Sequence, residues 1–250
     1  MIPRVLIIAG SDSGGGAGIQ ADLKTVAMMG GHGMTAITAI TAQNTLGVTA
    51  VELVSSGMVL ARIDAVLSDI GVDAIKIGMI GSSETAHAVA DRLETLQDVP
   101  IVFDPVMVAT SGSVLADAAT IAAFDRLMRV ARIVTPNLPE MQALGGDPFE
   151  LARRTGAAVL LKGGHTEGAT IVDQLIDPDG GEFQWRDTRI ETRHSHGTGC
   201  TLASAIATGL GAGMPLGDAI TRARAYVRKA LANAPELGRG HGPMGFLPEI

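Results

Sequence analysis

The segment Ser195–Thr201 combines residue types that bind an anion with one that can accept a proton. It reads Ser-His-Gly-Thr-Gly-Cys-Thr, and its glycines let the backbone turn tightly and approach a ligand without a Cβ in the way. The small, uncharged residues from Thr198 onward predict a helix packed inside a domain. The first N–H groups of a helix lack partners within the helix and, with the helix dipole, attract negative charge. The segment therefore favours a phosphate or an oxyanion as ligand.

Cys200 falls in the first turn of this predicted helix. The field of a helix N-terminus favours the thiolate, so we expect a thiol pKa below that of a free cysteine and a proton acceptor beside the anion. The spacing alone leaves a second interpretation open. Gly-Thr-Gly-Cys can also be a tight helix entry with a small buried cysteine, because free cysteine is among the most buried residue types.

The composition excludes several classes of protein. The chain has 250 residues, of which 46% are apolar and only 3% aromatic, so its core must consist mainly of aliphatic side chains. The net charge is -7 and the lysines and arginines are scattered, which argues against a nucleic-acid partner. One cysteine excludes an intramolecular disulfide, and no apolar run approaches the roughly 18 residues of a membrane span. We expect a cytoplasmic protein that binds no membrane.

Apolar segments alternate with helical patterns along most of the chain, which predicts a parallel sheet with crossover helices. Two apolar segments joined by the turn sequence Asp-Pro-Asp-Gly-Gly predict an antiparallel ribbon at the sheet edge. With no repeat or linker, we expect one domain over residues 1–250. The predicted strands are 5–9, 35–42, 51–54, 74–80, 100–103, 132–134 and 157–161, the ribbon is 171–176 and 183–193, and the main helices are 19–29, 59–67, 83–96, 117–128, 198–210 and 216–234.

The glycine-rich stretch 11–18 lies between the first strand and the first helix but matches neither common phosphate-binding motif. Ile19 stands where the dinucleotide fingerprint needs its third glycine, and Leu23 stands where a P-loop needs glycine before Lys24-Thr25. The stretch is either a loop that approaches an unspecified ligand or only a turn.

Residues that can bind a ligand follow the apolar strands. Carboxyl ends of parallel strands lie at one edge of a sheet, where ligands of such folds bind, so we expect these residues to share a cleft. Glu140 lies in the first turn of the next helix, either as a cap partner or as a water-mediated Mg²⁺ ligand. The residues that follow the strands are Gly10, Gln43, Met79, Asp104, Asn137 and Lys162.

Seven motifs in the same order make the chain resemble the hydroxymethylpyrimidine and phosphomethylpyrimidine kinases of thiamine biosynthesis, within the ribokinase-like superfamily. The resemblance implies a three-layer α/β/α fold with a central, mostly parallel sheet, and without an inserted β lid because a helix follows the first strand directly. It also implies transfer of the ATP γ-phosphate to a pyrimidine hydroxymethyl group and then to the monophosphate. The motifs are Gly10–Asp22, Thr41–Thr45, Lys76–Met79, Asp104–Met107, Thr135–Asn137, Lys162–His165 and Gly197–Thr201.

The same resemblance implies a role for each matching residue. Asp22 and Gln43 would hydrogen-bond the aminopyrimidine, and Gly10, Met79 and Val106 would shape its pocket. Cys200 would be the catalytic base, and the amides of Gly197, Thr198 and Gly199 would receive charge from the phosphoryl group. Asp104 and Glu140 would organise Mg²⁺. ATP would be bound by Asp104, Asn137, Lys162, Thr198 and Lys229.

Three alternatives stay open at this point. Pyridoxal also presents a hydroxymethyl group on a flat six-membered ring, so a pyridoxal kinase is the nearest rival. A pyrimidine sensor without catalysis would keep the pocket but has no need of Asp104, Lys162 and Cys200 together. A metal site built on histidines is weaker still, because only His194 and His196 lie near each other in sequence. We further expect residues 106–114 to form a flap over the substrate, and the chain to be a homodimer.

Overall fold

The computed structural model describes residues 1–165 and 168–248, and all strands in these ranges belong to one sheet. The strands are β1 (Arg4–Asp12), β2 (His32–Asn44), β3 (Gly47–Leu53), β4 (Ala74–Ile77), β5 (Ile101–Phe103), β6 (Ile133–Val134), β7 (Ala158–Leu161), β8 (Thr170–Ile176) and β9 (Glu182–Thr188). The helices are α1 (Gly18–Met28), α2 (Ser56–Asp69), α3 (Ser83–Leu93), α4 (Ala118–Val130), α5 (Leu138–Ala143), α6 (Pro148–Thr155), α7 (Thr198–Gly211) and α8 (Leu216–Ala232).

The strand order is β3-β2-β1-β4-β5-β6-β7-β8-β9. The pairs from β2 through β7 are parallel, whereas β3 at one edge and the β8–β9 ribbon at the other pair antiparallel. The chain passes from β1 to β2 on one side and later to β4 on the other, so the order reverses between β1 and β4. In open α/β sheets, ligands bind at such a reversal, outside the carboxyl ends of the strands.

Helices cover both faces of the sheet and give the three predicted layers. One core cluster joins the sheet to helices α2 to α6, through side chains such as Ile63, Val89 and Phe124. The other joins it to α1, α7 and α8, through side chains such as Val26 and Ile206. Helix α1 follows β1 directly, so the α/β/α architecture without a lid between β1 and α1 is confirmed.

Most predicted elements are present, with shifted ends. Helices α5 and α6 have only six and eight residues, which is too few for a clear helical period. The sequence therefore predicted the start of a helix near Glu140 but not two separate helices. Strand β9 ends at Thr188 rather than at residue 193. Strand β3 covers more residues than the predicted apolar segment 51–54, because an exposed strand at the sheet edge needs no continuous apolar run. The single domain stays a prediction, and the continuous sheet is consistent with it.

A fully buried ion pair joins the sheet to both helices that pack behind it. Lys76 of β4 places Nζ 2.8 and 3.0 Å from the carboxylate oxygens of Asp22 of α1, and Ser204 Oγ of α7 donates to the same carboxylate at 2.7 Å. Neither charged side chain is exposed. Burial lowers the pKa of Lys76, but the charges of Asp22 and Asp104 and the hydrogen bond to Asp22 outweigh it and raise that pKa, so the lysine is charged.

Replacing one partner of this pair will destabilise the fold. We expect Lys76→Met to lower the free energy of unfolding by about 3–5 kcal/mol, because it leaves the buried Asp22 carboxylate without its cation. Urea unfolding followed by circular dichroism measures this change. Arg129→Met is the control, because it removes an exposed pair with Asp125 four residues earlier and should cost less than about 1 kcal/mol. Equal effects of the two substitutions would contradict the prediction.

Candidate active site

A cavity of about 910 Å³ lies at the carboxyl ends of the parallel strands, next to the point between β1 and β4 where the strand order reverses. This volume is in the range of small-molecule sites. Segments far apart in sequence meet there because the strand ends converge on one edge of the sheet. Of the predicted site residues, those that line the cavity are Gly10, Gln43, Met79, Asp104, Val106, Asn137, Glu140, Lys162, Gly197, Thr198, Gly199 and Cys200.

The first turn of α7 forms one wall of this cavity. Gly197 caps the helix with a φ of 86°, a left-handed conformation that favours glycine, and a Cβ there would collide with the carbonyl oxygen of Gly16. A Cβ on Gly199 would lie 3.2 Å from Asp104 Oδ2 and 3.4 Å from Lys162 Nζ. The lack of side chains at these positions lets the helix start close to both charged groups.

Lys162 is the cation at this helix start. Its Nζ lies 2.8 Å from Asp104 Oδ1 and 3.6 Å from Glu140 Oε2. Burial lowers the pKa of Lys162, but the two carboxylates outweigh it and raise that pKa above the usual value, so Lys162 stays charged. Asp104 Oδ1 also accepts from Thr135 Oγ1 at 3.0 Å, and the carboxylate is thereby held at the end of β5.

Asn137 and Glu140 cap α5 at the edge of the cavity. Asn137 Oδ1 accepts from the Glu140 amide at 2.9 Å, and Glu140 Oε2 accepts from the Asn137 amide at 2.8 Å, which is a capping box. Burial raises the pKa of Glu140, although the charge of Lys162 opposes this. The cap role that the sequence left open for Glu140 is therefore present, and its carboxylate still borders the cavity.

The donor set around Lys162 fits a magnesium ion that is bound together with a phosphate. Mg²⁺ in proteins is commonly held by one or two carboxylates, several waters and substrate phosphates. Asp104 and Glu140 supply two carboxylates at one place. Within residues 1–165 and 168–248, no cluster of three or more His, Cys, Asp or Glu side chains could hold a metal alone. A metal here would thus need a ligand that brings oxygens of its own.

The expected low pKa of Cys200 is wrong. Burial raises the pKa of this thiol to about 11, and the nearby charges of Asp22 and Asp104 add to that effect. Lys76 and a hydrogen bond from the Gly18 amide act in the opposite direction without overcoming burial. The alternative of a sealed structural cysteine is also excluded, because Cys200 is partly exposed and lines the cavity.

Two predicted contacts are not supported by the placement of their side chains. Asp22 lies outside the cavity lining, since its carboxylate is fully buried and bound to Lys76 and Ser204. Lys229 is exposed on α8, where its Nζ donates to the Pro248 carbonyl oxygen at 2.9 Å, and it also lies outside the lining. Charge and position in sequence did not show which way either residue faces.

Other cavity residues were not among those predicted to bind substrate, nucleotide or Mg²⁺, although His196 was considered as a ligand of a histidine metal site. Lys76, Asp12, His196 and Arg224 all line the cavity. His196 Nε2 lies 3.0 Å from Asp12 Oδ2 and 3.1 Å from Gln43 Nε2, so three separate chain segments meet at one ring nitrogen. Asp12 stands inside a quoted motif and His196 directly precedes another, but they are 184 positions apart, and only the fold shows that they touch.

Comparison with known sequences decides the family. The family model described as phosphomethylpyrimidine kinase matches residues 12–245. The chain belongs to this family. A hydroxymethylpyrimidine/phosphomethylpyrimidine kinase of Rhizobium meliloti is 51% identical over 98% of this chain and 97% of its own length. Another with the same description, from Streptomyces coelicolor, is 46% identical over 97% of this chain and 93% of its own length. The predicted family and its kinase activity are thereby confirmed.

Solved structures agree on the fold. A phosphomethylpyrimidine kinase from Clostridium difficile is 37% identical, with a TM-score of 0.79 over 92% of this chain and 99% of its own. A pyridoxal kinase from Bacillus subtilis, in an ADP complex, is 31% identical, with a TM-score of 0.88 over 98% of both chains. The ribokinase-like fold predicted from the resemblance is confirmed in this family member. In the part of the chain that the structure describes, no helix is long and apolar enough to cross a membrane.

The raised pKa of Cys200 predicts how its reactivity depends on pH. Alkylation by iodoacetamide should accelerate about tenfold for each pH unit between 7 and 9.5 without levelling off, because only the thiolate reacts and burial keeps the pKa near 11. Mass spectrometry can follow the reaction without ambiguity, since Cys200 is the only cysteine of the chain. Glutathione in the same buffers serves as the unburied control. A plateau below pH 9 would contradict the prediction.

Proposed function

We propose that this kinase transfers the γ-phosphate of ATP to the hydroxymethyl group of 4-amino-5-hydroxymethyl-2-methylpyrimidine, and then a second phosphate to the resulting monophosphate. One observation carries the assignment of roles. The thiol of Cys200, the amide of Gln43 and the ammonium of Lys162 line the same cavity, and Cys200 lies in the first turn of α7.

The α7 start and Lys162 are the phosphate-binding part of the proposed site. Phosphoryl transfer has a loose transition state, so catalysis depends on positioning and on charges that face the moving group. The N-terminal end of the α7 dipole and the Lys162 ammonium, which lies close to Gly199, both contribute positive charge at this wall of the cavity. The terminal phosphate would lie between them.

Cys200 is the proposed proton acceptor. As the substrate oxygen bonds to the γ-phosphorus and the bond to ADP breaks, the hydroxyl proton moves to the Cys200 sulfur. Only the thiolate can accept it, and burial makes that form scarce at neutral pH. A loose transition state builds little bond to the attacking oxygen before the leaving group departs, so the proton is lost late and a weakly populated base suffices.

Asp104 and Glu140 are the proposed residues for Mg²⁺, and their carboxylates border the same cavity as Lys162. When bound, the ion neutralises charge on the nucleotide phosphates. Asn137 is kept in the proposed nucleotide site because it caps α5 at that border. Lys229 is left out of it. Arg224, which lines the cavity and is held by Asp173 and Asp187, is the better-placed cation on α8.

The pyrimidine is proposed to lie against the ends of β1 and β4. Met79 Sδ would lie only 3.0 Å from a Cβ on Gly10, so the glycine leaves room for the thioether and for a flat ring beside it. Gln43 supplies an amide that can both donate to and accept from the aminopyrimidine edge. Residues 106–114 line the other side, and Val114 is 74% exposed, as expected of a flap over the substrate.

Pyridoxal phosphorylation is the second candidate, and a specific observation favours it. A pyridoxal kinase of Staphylococcus aureus in complex with pyridoxal aligns with this chain at a TM-score of 0.87 and 31% identity. The ADP complex of the same kinase gives a TM-score of 0.87 and 32% identity. Substrate choice therefore depends on individual cavity side chains rather than on the fold, and the pyrimidine is preferred because of the family to which the chain belongs.

The deciding experiment compares the two alcohols directly. The chain is incubated with ATP, Mg²⁺ and either the pyrimidine or pyridoxal, and mass spectrometry follows the phosphorylated products. We expect two successive phosphate additions to the pyrimidine and a lower kcat/KM for pyridoxal. Faster turnover of pyridoxal would overturn the substrate assignment, and no product from either alcohol would overturn the kinase itself.

Cys200→Ala separates binding from chemistry. We expect this variant to bind the pyrimidine with an unchanged Kd, measured by calorimetry, and to lose at least about 100-fold in kcat because it lacks the proton acceptor. Cys200→Ser serves as the matched control for shape, and it should also be slow because a serine hydroxyl is almost never deprotonated near neutral pH. Turnover at the wild-type rate in Cys200→Ala would remove the assigned role.

A homodimer and a cytoplasmic location are further parts of the proposal. Strands β2 and β3 and the turn between them expose apolar side chains at the sheet edge, among them Ile40, Leu46 and Val51, and a second copy can cover them. Light scattering should give about twice the chain mass of 25.6 kDa, and Val51→Glu should shift it toward one chain. A monomer at micromolar concentration would contradict the dimer.

The free thiol on which the proposed chemistry depends suits a reducing compartment such as the cytoplasm.

A further inference from the structure

The side-chain carboxylate of Asp12 accepts hydrogen bonds from three backbone amides of the glycine-rich stretch. Its Oδ1 accepts from the Gly14 amide at 2.7 Å, and its Oδ2 accepts from the amides of Gly16 and Ala17 at 3.1 and 2.8 Å. Burial raises the pKa of Asp12, but the hydrogen bonds from His196 and from these amides outweigh it and bring the pKa below the usual value. The side chain is therefore a carboxylate, and it can only accept.

This carboxylate fixes the proton on His196. The ring nitrogen Nε2 lies 3.0 Å from Asp12 Oδ2, so it must carry hydrogen and donate. A nitrogen that donates in this way has no lone pair for Gln43, whose side-chain amide lies 3.1 Å away. Two nitrogens that both carry hydrogen would repel each other, so the amide oxygen of Gln43 is the atom that belongs beside His196.

The hydrogen bonds of Thr41 indicate the same orientation of the Gln43 side-chain amide. The other end of the Gln43 amide lies 3.2 Å from Thr41 Oγ1. The single hydrogen of that hydroxyl is directed to the Ser11 carbonyl oxygen, at 2.9 Å. Thr41 can therefore accept from Gln43 but not donate to it, and the amide nitrogen belongs on the Thr41 side. The two ends of a carboxamide have the same shape, and the neighbouring hydrogens decide between them.

The surroundings of His196 keep the ring in this position. Its backbone amide donates to the Gly242 carbonyl oxygen at 3.2 Å, and it forms a bridge with Pro243. A Cβ on Gly16 would lie only 2.7 Å from His196 Cδ2, so the glycine-rich loop packs closely against the ring. The backbone contacts to the C-terminal segment and the close loop together hold the ring in place.

We propose that Asp12 and His196 are positioning residues that fix the direction of the Gln43 carboxamide, and thereby favour an aminopyrimidine over pyridoxal. The inference rests on the proposed function, in which Gln43 contacts the ring. An aminopyrimidine presents a ring-nitrogen acceptor beside an amino donor, which a carboxamide of fixed direction matches with two hydrogen bonds. Pyridoxal has no amino group beside its ring nitrogen and gains less from this match.

A double-mutant cycle on Gln43 and His196 tests the proposal. We expect His196→Ala to raise the KM for the pyrimidine about tenfold, with kcat and the KM for ATP changed less than about threefold, since one or two neutral hydrogen bonds are lost. The preference for pyrimidine over pyridoxal should fall by a similar factor. In the Gln43→Ala background, His196→Ala should have no further effect, because it acts through the missing amide.

Three further variants separate positioning from general damage to the fold. His196→Gln keeps an N–H donor and should recover part of the wild-type KM. His194→Ala removes another buried histidine, two positions away and outside the cavity lining, and should leave the pyrimidine KM unchanged. If His196→Ala fails to fold by circular dichroism, His196→Gln and Asp12→Asn replace it in the cycle.

The outcomes distinguish this inference from the proposed function. An unchanged KM in His196→Ala, or an equal rise with and without Gln43, would overturn the positioning role while wild-type pyrimidine turnover still supports the kinase. An unchanged KM in Gln43→Ala would overturn both the positioning role and the assigned ring contact. Absence of pyrimidine turnover in the wild type would overturn the proposed function and, with it, this inference.

Discussion

Four charged side chains of alternating sign lie around the start of α7 and are the constraint on which the site depends; three of them are buried, and Lys162 is partly exposed to the cavity. Lys76 is paired with Asp22, and Lys162 is paired with Asp104, at 2.8 Å in each case. Removing ions from water costs several kcal/mol each unless the geometry of the pair is nearly ideal. Lys76 lies in β4, Asp104 follows β5 and Lys162 follows β7, so the sheet brings three of the four residues to the same cavity. The proposed phosphate site therefore depends on strand order as much as on residue type.

Glycine at a few positions makes this close packing of charges possible. A Cβ on Gly78 would lie 2.6 Å from Lys76 Nζ, and one on Gly199 would crowd Asp104 and Lys162. The shortage of aromatic residues has the same consequence, since small side chains on α7 let this helix lie directly against the sheet. Packing and electrostatics thus require the same residues, and a substitution that enlarges one of them also displaces a charge.

The sequence was sufficient to predict the edge of the sheet at which the site lies, but not the direction of every side chain there. Strand ends are marked by apolar runs, so Gly10, Met79 and Lys162 were predicted to share a cleft, and they do. Asp22 and Lys229 were misplaced because a helical residue faces the core, the cavity or solvent according to its neighbours in space. Asp12 and His196 were overlooked as a pair since nothing in a single sequence indicates contact across 184 positions.

The thiol pKa shows how two correct principles can compete. A helix start favours the thiolate, and so does Lys76, yet the closed surroundings of Cys200 penalise the charge more strongly and raise the pKa to about 11. Cys200 nevertheless lines the cavity and is partly exposed there, so the thiol remains accessible to a bound ligand. A thiolate that is rarely populated is consistent with the proposed role of Cys200, because a loose transition state needs little deprotonation.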